Sequence, residues 1–372
     1  MKVFGPATIL LAAFGLLGPP APASARGPAD QPPLAVATFG GALMRSQMRA
    51  VVRPYRAESG RWVRVVEHDG SLAPVARQVQ SENVVWDVVN VNLSEARRGC
   101  RDGLFVPIDP GALARGADGT PARDDFYPDA LGRCSVGHNV SATVVAYARG
   151  AFDDPPTRLA DFFDTDRFPG NRGLRRDPRV ALEWALLADG VPRDRLYPTL
   201  ATEEGLERAL DRLDRIRDRI VWWTDGDAAA ELVAAGRVAM GSAWNGRVAA
   251  ANRRGADLAI LWDGQVWNAD AWVIPRGSDR AAEALDFIRY ATRSEVLARQ
   301  AAEIPYAPAR RSAQPLVSET DRAQLPTSAP QSELAIRIDY AWWSEHGDEM
   351  RRRFEGWIER EPVFDFRSLD RN

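Results

Sequence analysis

The sequence predicts an α/β protein built on mainly parallel β-sheet. Short runs rich in β-branched residues alternate along the chain with segments whose apolar residues recur at helical spacing. The run VVWDVVNV at residues 84–91 is nearly continuous in β-branched residues, which is typical of a parallel strand buried on both faces. The chain has 372 residues, so it is long enough for two domains of ordinary size.

The first part of the chain shows this alternation most clearly. A β-prone run at residues 34–39 ends at Gly40-Gly41, and the helical pattern that follows ends at Ser59-Gly60. Before residue 150, the patterns predict strands at 34–39, 62–67, 84–91 and 140–147, helices at 42–58, 71–81 and 94–103, and a loop at 107–127.

The second part contains the most regular helical pattern. Leu206, Leu210, Leu213, Ile216 and Ile220 share one face, and charged residues occupy the other. The segment Trp244-Asn245-Gly246 is predicted to be a turn. The further elements are helices at 159–163, 180–188, 203–220, 228–235, 281–291, 294–302 and 331–359, and strands at 238–243, 257–262 and 271–274.

The N-terminus has the layout of a secretory signal peptide. Lys2 precedes an apolar run at residues 3–17, and Ala23-Ser24-Ala25 supplies small residues at a cleavage site. The run has 15 residues, which is fewer than the roughly 20 that a membrane helix needs. We therefore predict a signal peptide at 1–25, cleaved after Ala25, and a disordered lead-in at 26–33; the alternative is a retained N-terminal anchor.

The net charge and the cysteine and histidine content narrow the class of protein further. The formal net charge of −3 offers no electrostatic basis for binding nucleic acid. Cys100 and Cys134 form an even pair, which in an oxidising compartment predicts one disulfide; two free thiols are the alternative. The three histidines are scattered without metal-ligand spacing, so we predict no metal site and no cofactor.

Short motifs follow one another in a characteristic order along the chain. They are Thr38-Phe39-Gly40-Gly41, Trp86-Asp87-Val88-Val89, Gly103-Leu104, Pro107-Ile108-Asp109, Leu159-Ala160-Asp161-Phe162-Phe163, Phe168-Pro169-Gly170, Arg172-Gly173-Leu174, Leu186-Leu187-Ala188-Asp189-Gly190-Val191, Trp244-Asn245-Gly246-Arg247 and Ile274-Pro275-Arg276-Gly277-Ser278. In this order and spacing the motifs resemble the periplasmic solute-binding proteins of ABC importers, with the spermidine/putrescine-binding branch most similar, and the resemblance covers nearly the whole mature chain.

The resemblance implies a two-lobed periplasmic binding protein fold of type II-like topology. Each lobe would be a mixed, mainly parallel sheet flanked by helices, with the ligand in a cleft between the lobes that closes by a hinge. We predict lobe 1 at 34–146 plus 271–307 and lobe 2 at 147–270 plus 308–372. The expected partners are a small solute and a membrane permease, and the protein is expected to be a monomer without enzymatic activity.

The resemblance and the chemistry of polyamines together predict the site. Ammonium groups need carboxylates, and methylene stems need aromatic faces. Asp177 matches one of two family carboxylates, but the second falls on Val180, with Glu183 nearby; Asp225 and Asp227 are substitutes or plain turn and N-cap residues. The predicted ligand-binding residues are Phe39, Gly40, Gly41, Asn92, Ser94, Asp177, Trp244, Arg247, Trp267, Asp270 and Tyr306.

A second ligand class stays open beside the favoured polyamine-like cation. The amides of Gly40-Gly41 at a helix start and the guanidinium of Arg247 suit a carboxylate-bearing or zwitterionic solute, such as an amino-acid derivative. Ferric iron is disfavoured because the chain has no Tyr-Tyr pair. A secreted hydrolase is a weaker alternative, because there is no Gly-x-Ser-x-Gly motif and no base–nucleophile arrangement.

Overall fold

The computed structural model describes residues 32–360 together with Met1. Apart from Met1, the predicted signal peptide lies outside the described residues, as do all but the last two residues of the predicted lead-in. Between residues 32 and 360, no helix combines the length and the apolar character that crossing a bilayer requires.

The described chain alternates strands and helices, as predicted. The strands are β1 (Leu34–Thr38), β2 (Val63–Glu67), β3 (Val88–Asn92), β4 (Leu131–Gly132), β5 (Ser135–Ala148), β6 (Arg172–Arg175), β7 (Ile220–Trp223), β8 (Met240–Trp244), β9 (Leu258–Val273), β10 (Ala307–Pro308) and β11 (Ile336–Arg337). The helices are α1 (Gly41–Gln47), a π-helical segment (Met48–Val52), α2 (Arg53–Ser59), α3 (Ala73–Gln80), α4 (Leu93–Arg101), α5 (Ala122–Asp125), α6 (Pro178–Ala188), α7 (Leu196–Leu200), α8 (Glu203–Asp214), α9 (Gly226–Ala234), α10 (Asn245–Arg253), α11 (Ala281–Ala291), α12 (Ser294–Glu303), α13 (Glu319–Arg322) and α14 (Tyr340–Ile358).

The strands join in one sheet of order β2-β1-β3-β9-β5-β8-β6-β7. The pairs β1–β2, β1–β3, β6–β7 and β6–β8 are parallel, whereas β9 is antiparallel to both β3 and β5. The two long central strands, β5 and β9, join the two ends of the sheet, because β9 pairs with β3 and β5 pairs with β8. We call β2-β1-β3 with its helices the first half and β8-β6-β7 with its helices the second half.

Each half has its own hydrophobic core. In the first half, Val36, Val51 and Trp272 lie among the buried apolar residues of one cluster. In the second half, Trp184 and Phe354 belong to a cluster that includes the apolar face of α14. The C-terminal helix is thus anchored on the second half, because its buried apolar residues Trp343, Met350, Phe354 and Trp357 all belong to that cluster.

Several predicted boundaries were wrong because pairing and burial overrode local signals. The strands predicted separately at 257–262 and 271–274 belong to one continuous strand, β9, which pairs with β5 over most of its length. The predicted turn at Trp244-Asn245-Gly246 is the end of β8 and the start of α10. The predicted helix at 331–359 is limited to α14.

Strand β6 was missed because it begins with an arginine. Arg172 is fully buried, which hydrophobic periodicity does not anticipate. Its guanidinium donates to the carbonyl oxygens of Phe162, Gly170, Asp164 and Phe168 at 2.6–3.2 Å, so each of its three nitrogens is hydrogen-bonded. Local backbone carbonyls therefore replace the apolar neighbours that the pattern would require.

The predicted disulfide is confirmed. Cys100, at the end of α4, is bonded to Cys134, just before β5, across a sequence separation of 34 residues. In the chain-entropy model, closing a loop of this length stabilises the fold by roughly 3–4 kcal/mol. The bond ties the loop at 107–127, which contains α5, to the sheet.

The lobe boundaries placed at 146/147, 270/271 and 307/308 stay a prediction, but the contacts near them are informative. Strand β5 pairs with β10 at Asn139 and Val140 and with β8 from Thr143 onward. Beyond β10, the backbone N–H of Ser312 donates to Asp125 at 2.8 Å, so this stretch packs on the first half.

Candidate ligand-binding site

A cleft of about 960 Å³ lies where the two halves of the sheet face each other. Its walls come from the carboxyl ends of β1, β3, β6 and β8, which is where ligands bind in open α/β sheets. All but two of the predicted ligand-binding residues line it: Phe39, Gly40, Gly41, Asn92, Asp177, Trp244, Arg247, Asp270 and Tyr306.

Ser94 and Trp267 are the two that do not line the cleft. Successive side chains of a strand point to opposite faces, and Asn268 and Asp270 of β9 face the cleft. Trp267 has the opposite parity, and its ring packs under the Arg337 guanidinium of β11 at 5.2 Å. Ser94 is buried in the first turn of α4. The structure therefore does not place these two side chains at the cleft.

Asp270 is a buried carboxylate on the cleft wall. It is 7% exposed and lies directly between Asn92 of β3 and Asn139 of β5 in the sheet register. Burial raises the pKa of Asp270 to about 7, although Asn139 and the nearby guanidiniums of Arg175 and Arg247 oppose the rise. Among residues 32–360 it has no ion-pair partner within 4.0 Å. Such a carboxylate is stabilised when a cation enters the cleft.

Asp177, predicted to neutralise an ammonium, is already neutralised within the protein. Its two oxygens accept from Nε and Nη2 of Arg179 at 3.1 and 3.0 Å, and Nη1 of Arg175 is 3.6 Å away. Although burial by itself would raise it, these guanidiniums hold the pKa of Asp177 well below its usual range. It also caps the first turn of α6 by accepting from the Arg179 N–H at 2.9 Å.

Glu183 does not supply the second carboxylate. It is fully buried below the start of α6, outside the lining of the cleft. Its oxygens accept from the Val180 N–H, the Tyr197 hydroxyl and the Trp343 indole at 2.7, 3.0 and 2.8 Å. Val180 has a φ of 75°, a strained value for a β-branched residue, and this hydrogen bond helps to hold it.

Arg175 is a cleft cation that the prediction missed. Its guanidinium stacks over the Trp244 ring at 5.3 Å, and 34% of its side chain is exposed. Among the described residues, Arg175 and Arg179 both pair with the carboxylate of Asp177, so the charge of Arg175 is only partly neutralised by its ion pair. Its position at the end of the unrecognised β6 explains why hydrophobic periodicity gave no signal for it.

Arg247 lines the cleft, but its terminal nitrogens are occupied. Nη1 donates to Asp227 at 2.5 Å and Nη2 to the Gly40 carbonyl at 2.7 Å, so the side chain links the two halves. A Cβ atom on Gly41 would lie 2.0 Å from Nη1, and Gly41 has a φ of +65°. The start of α1 therefore already faces the carboxylate of Asp227, where the prediction placed a ligand anion; Asp225 is the N-cap of α9.

Aromatic side chains cover the remaining wall. Trp244 packs edge to face with Trp223 at 5.6 Å, and Gly226 leaves room for it, since a Cβ there would lie 2.3 Å from the ring. Phe39 stacks on His68, another cleft residue that the prediction missed, at 5.4 Å. Burial raises the pKa of Tyr306, so its hydroxyl stays neutral at physiological pH. Methylene groups of a solute would meet these rings.

Comparison with known protein families shows to which family the chain belongs. A model of the bacterial extracellular solute-binding proteins matches residues 50–327. The chain belongs to this family. Among its relatives, a gamma-aminobutyric acid-binding protein of Pseudomonas aeruginosa is 37% identical over 327 residues, which are 88% of this chain and 91% of that protein.

Solved structures agree with this solute-binding protein in fold. The binding protein MotA of A. tumefaciens B6, in complex with glucopine, superimposes with a TM-score of 0.81 at 25% identity, covering 88% of this chain and 99% of MotA. The GABA receptor Atu4243 gives 0.77 at 28% identity, with 89% and 98% covered. The predicted fold class, two lobes of mixed sheet flanked by helices, is confirmed.

The polyamine branch is supported in fold alone. The spermidine/putrescine-binding protein PotD of Streptococcus pneumoniae superimposes with a TM-score of 0.68 but is only 15% identical, with 88% of this chain and 100% of PotD covered. The solute-binding family is therefore established for this chain, whereas membership of the polyamine branch is not.

Proposed function

We propose that this solute-binding protein is the periplasmic component of an ABC importer and that its ligand is a small zwitterion resembling gamma-aminobutyric acid. The observation that carries the ligand class is the presence in one cleft of a buried carboxylate, Asp270, without an ion-pair partner among the described residues, and an incompletely neutralised guanidinium, Arg175. An ammonium group would bind the first and a carboxylate the second.

The charges of the cleft support this class over the polyamine first favoured. A diamine needs a carboxylate at each end, but of the two carboxylates considered for this role at the start of α6, Asp177 is held by two arginines and Glu183 lies outside the cleft. The wall formed by Arg175 would repel a second ammonium. The relative from Pseudomonas aeruginosa, named for gamma-aminobutyric acid, supports the same choice.

The remaining roles follow from the family and the sequence. Family members are extracellular solute-binding proteins, so we propose that residues 1–25 direct export to the periplasm and that the loaded protein delivers its solute to a membrane permease. We infer binding without turnover, by a monomer. We also place residues 308–317 with lobe 1, because Ser312 and Arg310 bind Asp125.

A binding panel tests the proposed function. Isothermal titration of the mature chain, refolded free of carried-over ligand, would compare gamma-aminobutyric acid, putrescine, spermidine, butyrate, opine-like carboxylates and sugars. We expect the zwitterion to bind at least about 30-fold tighter than putrescine or butyrate, since each lacks one of the two paired charges. Tighter binding of a polyamine than of every zwitterion would overturn the proposed ligand class.

The affinity for the zwitterion should also depend on pH. Burial raises the pKa of Asp270 in the ligand-free protein to about 7, and only the ionised carboxylate binds an ammonium. The affinity should therefore rise with pH up to about 7 and flatten above it. Between pH 8 and pH 5 the loss should be about a hundredfold, at tenfold per unit below the pKa. Titrations in buffers of different ionisation enthalpy should reveal proton release on binding near pH 6. A flat profile from pH 5 to 8 would contradict the role of Asp270.

A further inference from the structure

A chain of buried polar side chains leads from the cleft into the first half of the protein. Asp270 lies opposite Asn139 in the pairing of β9 with β5. The Asn139 Nδ2 atom is 3.0 Å from His138 Nδ1, and His138 Nε2 is 3.0 Å from Asn90 Oδ1. Asn139, His138 and Asn90 are each at most 2% exposed, so water does not compete for these contacts. The chain thus ends at Asn139, directly opposite the carboxylate to which we assign the ammonium of the solute.

The contacts impose one direction on this hydrogen-bond chain. Asn90 donates through its Nδ2 to the Thr38 hydroxyl at 3.1 Å, so its Oδ1 is the acceptor that faces His138. His138 must then carry its proton on Nε2, which leaves Nδ1 to accept from Asn139. The tautomer is inferred from these contacts. An amide NH2 group has two hydrogens, and with one held by His138 the other is available to Asp270.

His138 acts in this chain as a neutral, fixed acceptor. Burial lowers its pKa to about 3, so it does not protonate in the physiological range. Its ring stacks on Trp272 at 4.6 Å, which limits its rotation. The Oδ1 atom of Asn139 has no hydrogen-bond partner among the described residues, so the orientation of this amide depends on what its nitrogen binds. Loss of the histidine acceptor would leave that amide without its anchor.

Other groups also face Asp270. Arg175 of β6 and Arg247 of α10 favour its ionised form. Tyr306, just before β10, and Tyr340, at the start of α14, stay neutral because burial raises their pKa. None of these four takes part in the chain through His138, so replacing that histidine leaves their charges unchanged.

We propose that His138 is a positioning residue for ligand capture, which holds the Asn139 amide toward Asp270 so that this carboxylate stays available to a cationic group of the solute. The consequence for the solute rests on the proposed function. The hydrogen-bond chain itself is a property of the ligand-free protein and can be tested without a ligand.

The test is a direct titration of Asp270. Carbon-13 NMR of the side-chain carboxyl, identified by its disappearance in Asp270→Asn, would follow ionisation in the ligand-free protein. We expect His138→Phe, which keeps an aromatic ring but removes the acceptor, to raise the midpoint by about one pH unit. His138→Gln can still accept through its amide oxygen and should titrate near the wild type. Affinity for gamma-aminobutyric acid at pH 7 should fall about five- to tenfold in His138→Phe and recover at pH 9.

Matched variants separate positioning from a general loss of structure. His346→Phe changes a histidine on α14 that stacks on Trp342 away from the cleft, and it should leave the midpoint unchanged. If His138→Phe does not fold, Asn139→Ala removes the donor itself and should raise the midpoint equally. An unchanged midpoint in either folded variant, or an equal rise in His138→Phe and His138→Gln, would overturn the inference. A wild type that binds no zwitterion at any pH would instead overturn the proposed function and leave the titration result standing.

Discussion

Replacing Asp270 with asparagine should abolish tight solute binding while making the ligand-free protein more stable. The ammonium of the solute would lose its only proposed counter-charge in the cleft, which costs roughly 2–5 kcal/mol of binding free energy. Isothermal titration of the variant at pH 8 with gamma-aminobutyric acid measures this loss. We expect it to be among the largest effects of any single substitution in the protein.

The gain in stability follows from the raised pKa of the same group. Burial raises the pKa of Asp270 from its ordinary value of 3.8 to about 7, so ionisation is less favourable in the folded than in the unfolded chain. The contribution of Asp270 to the free energy of unfolding of the wild type is therefore most favourable below about pH 4. It is lost as pH rises through about 7. At pH 8 the free energy of unfolding of Asp270→Asn should exceed that of the wild type by a few kcal/mol, at about 1.4 kcal/mol per pKa unit.

Denaturant unfolding at pH 4 and pH 8 would measure this difference, which should shrink toward acidic pH. Asp257→Asn is the matched control, because Asp257 immediately precedes the same strand but is exposed and pairs with Arg149 on the surface. It should change neither binding nor the pH dependence of stability. An Asp270→Asn variant that binds like the wild type would remove Asp270 from the site.

Replacing Arg175 with glutamine should remove the preference for solutes that carry a carboxylate. The affinity for gamma-aminobutyric acid should fall by roughly 2–5 kcal/mol, because the anionic end would lose its charged partner in a partly desolvated cleft. Putrescine has no carboxylate, so its weak binding should persist or improve as the repelling charge is removed. The diagnostic quantity is the ratio of the two dissociation constants, measured by titration at pH 8.

Arg176→Gln is a close control for this experiment. Arg176 is the next residue along the chain, but its guanidinium pairs with Glu355 away from the cleft, where an exposed ion pair contributes little. We expect it to bind both solutes as the wild type does. If Arg175→Gln weakened both solutes equally, Arg175 would support the cleft in general and would not recognise the carboxylate.

Local patterns predicted the fold better than they predicted the site. Strands β1, β2 and β3 and helix α8 were anticipated because their apolar residues repeat with the period of the element that buries them. Strand β6 was missed because its largest buried side chain is that of Arg172, which is stabilised by carbonyl groups of the preceding residues 162–170. A periodicity in hydrophobicity cannot register a residue that is buried through hydrogen bonds.

The sequence predicted which residues line the candidate site better than it predicted what each of them does there. Asp177, Arg247 and Asp270 all line the cleft, as expected. Two of them are occupied within the protein, Asp177 by Arg179 and Arg247 by Asp227. The position of each side chain follows from the order of the strands. Whether its charge can bind a ligand depends on which oppositely charged group the folded chain brings beside it.

The sequence by itself determined the alternation of strands and helices, the pairing of Cys100 with Cys134 once export is assumed, and the position of Asp270 directly before a predicted strand at 271–274. Only the tertiary structure decided which charged side chains of the cleft are paired within the protein. Arg175 and Arg179 both pair with the carboxylate of Asp177. No guanidinium of the described residues lies within ion-pair distance of Asp270. Coulomb energies fall with distance and depend on burial. The side chains that surround a charge in the folded protein therefore decide whether it is paired internally or can bind a ligand.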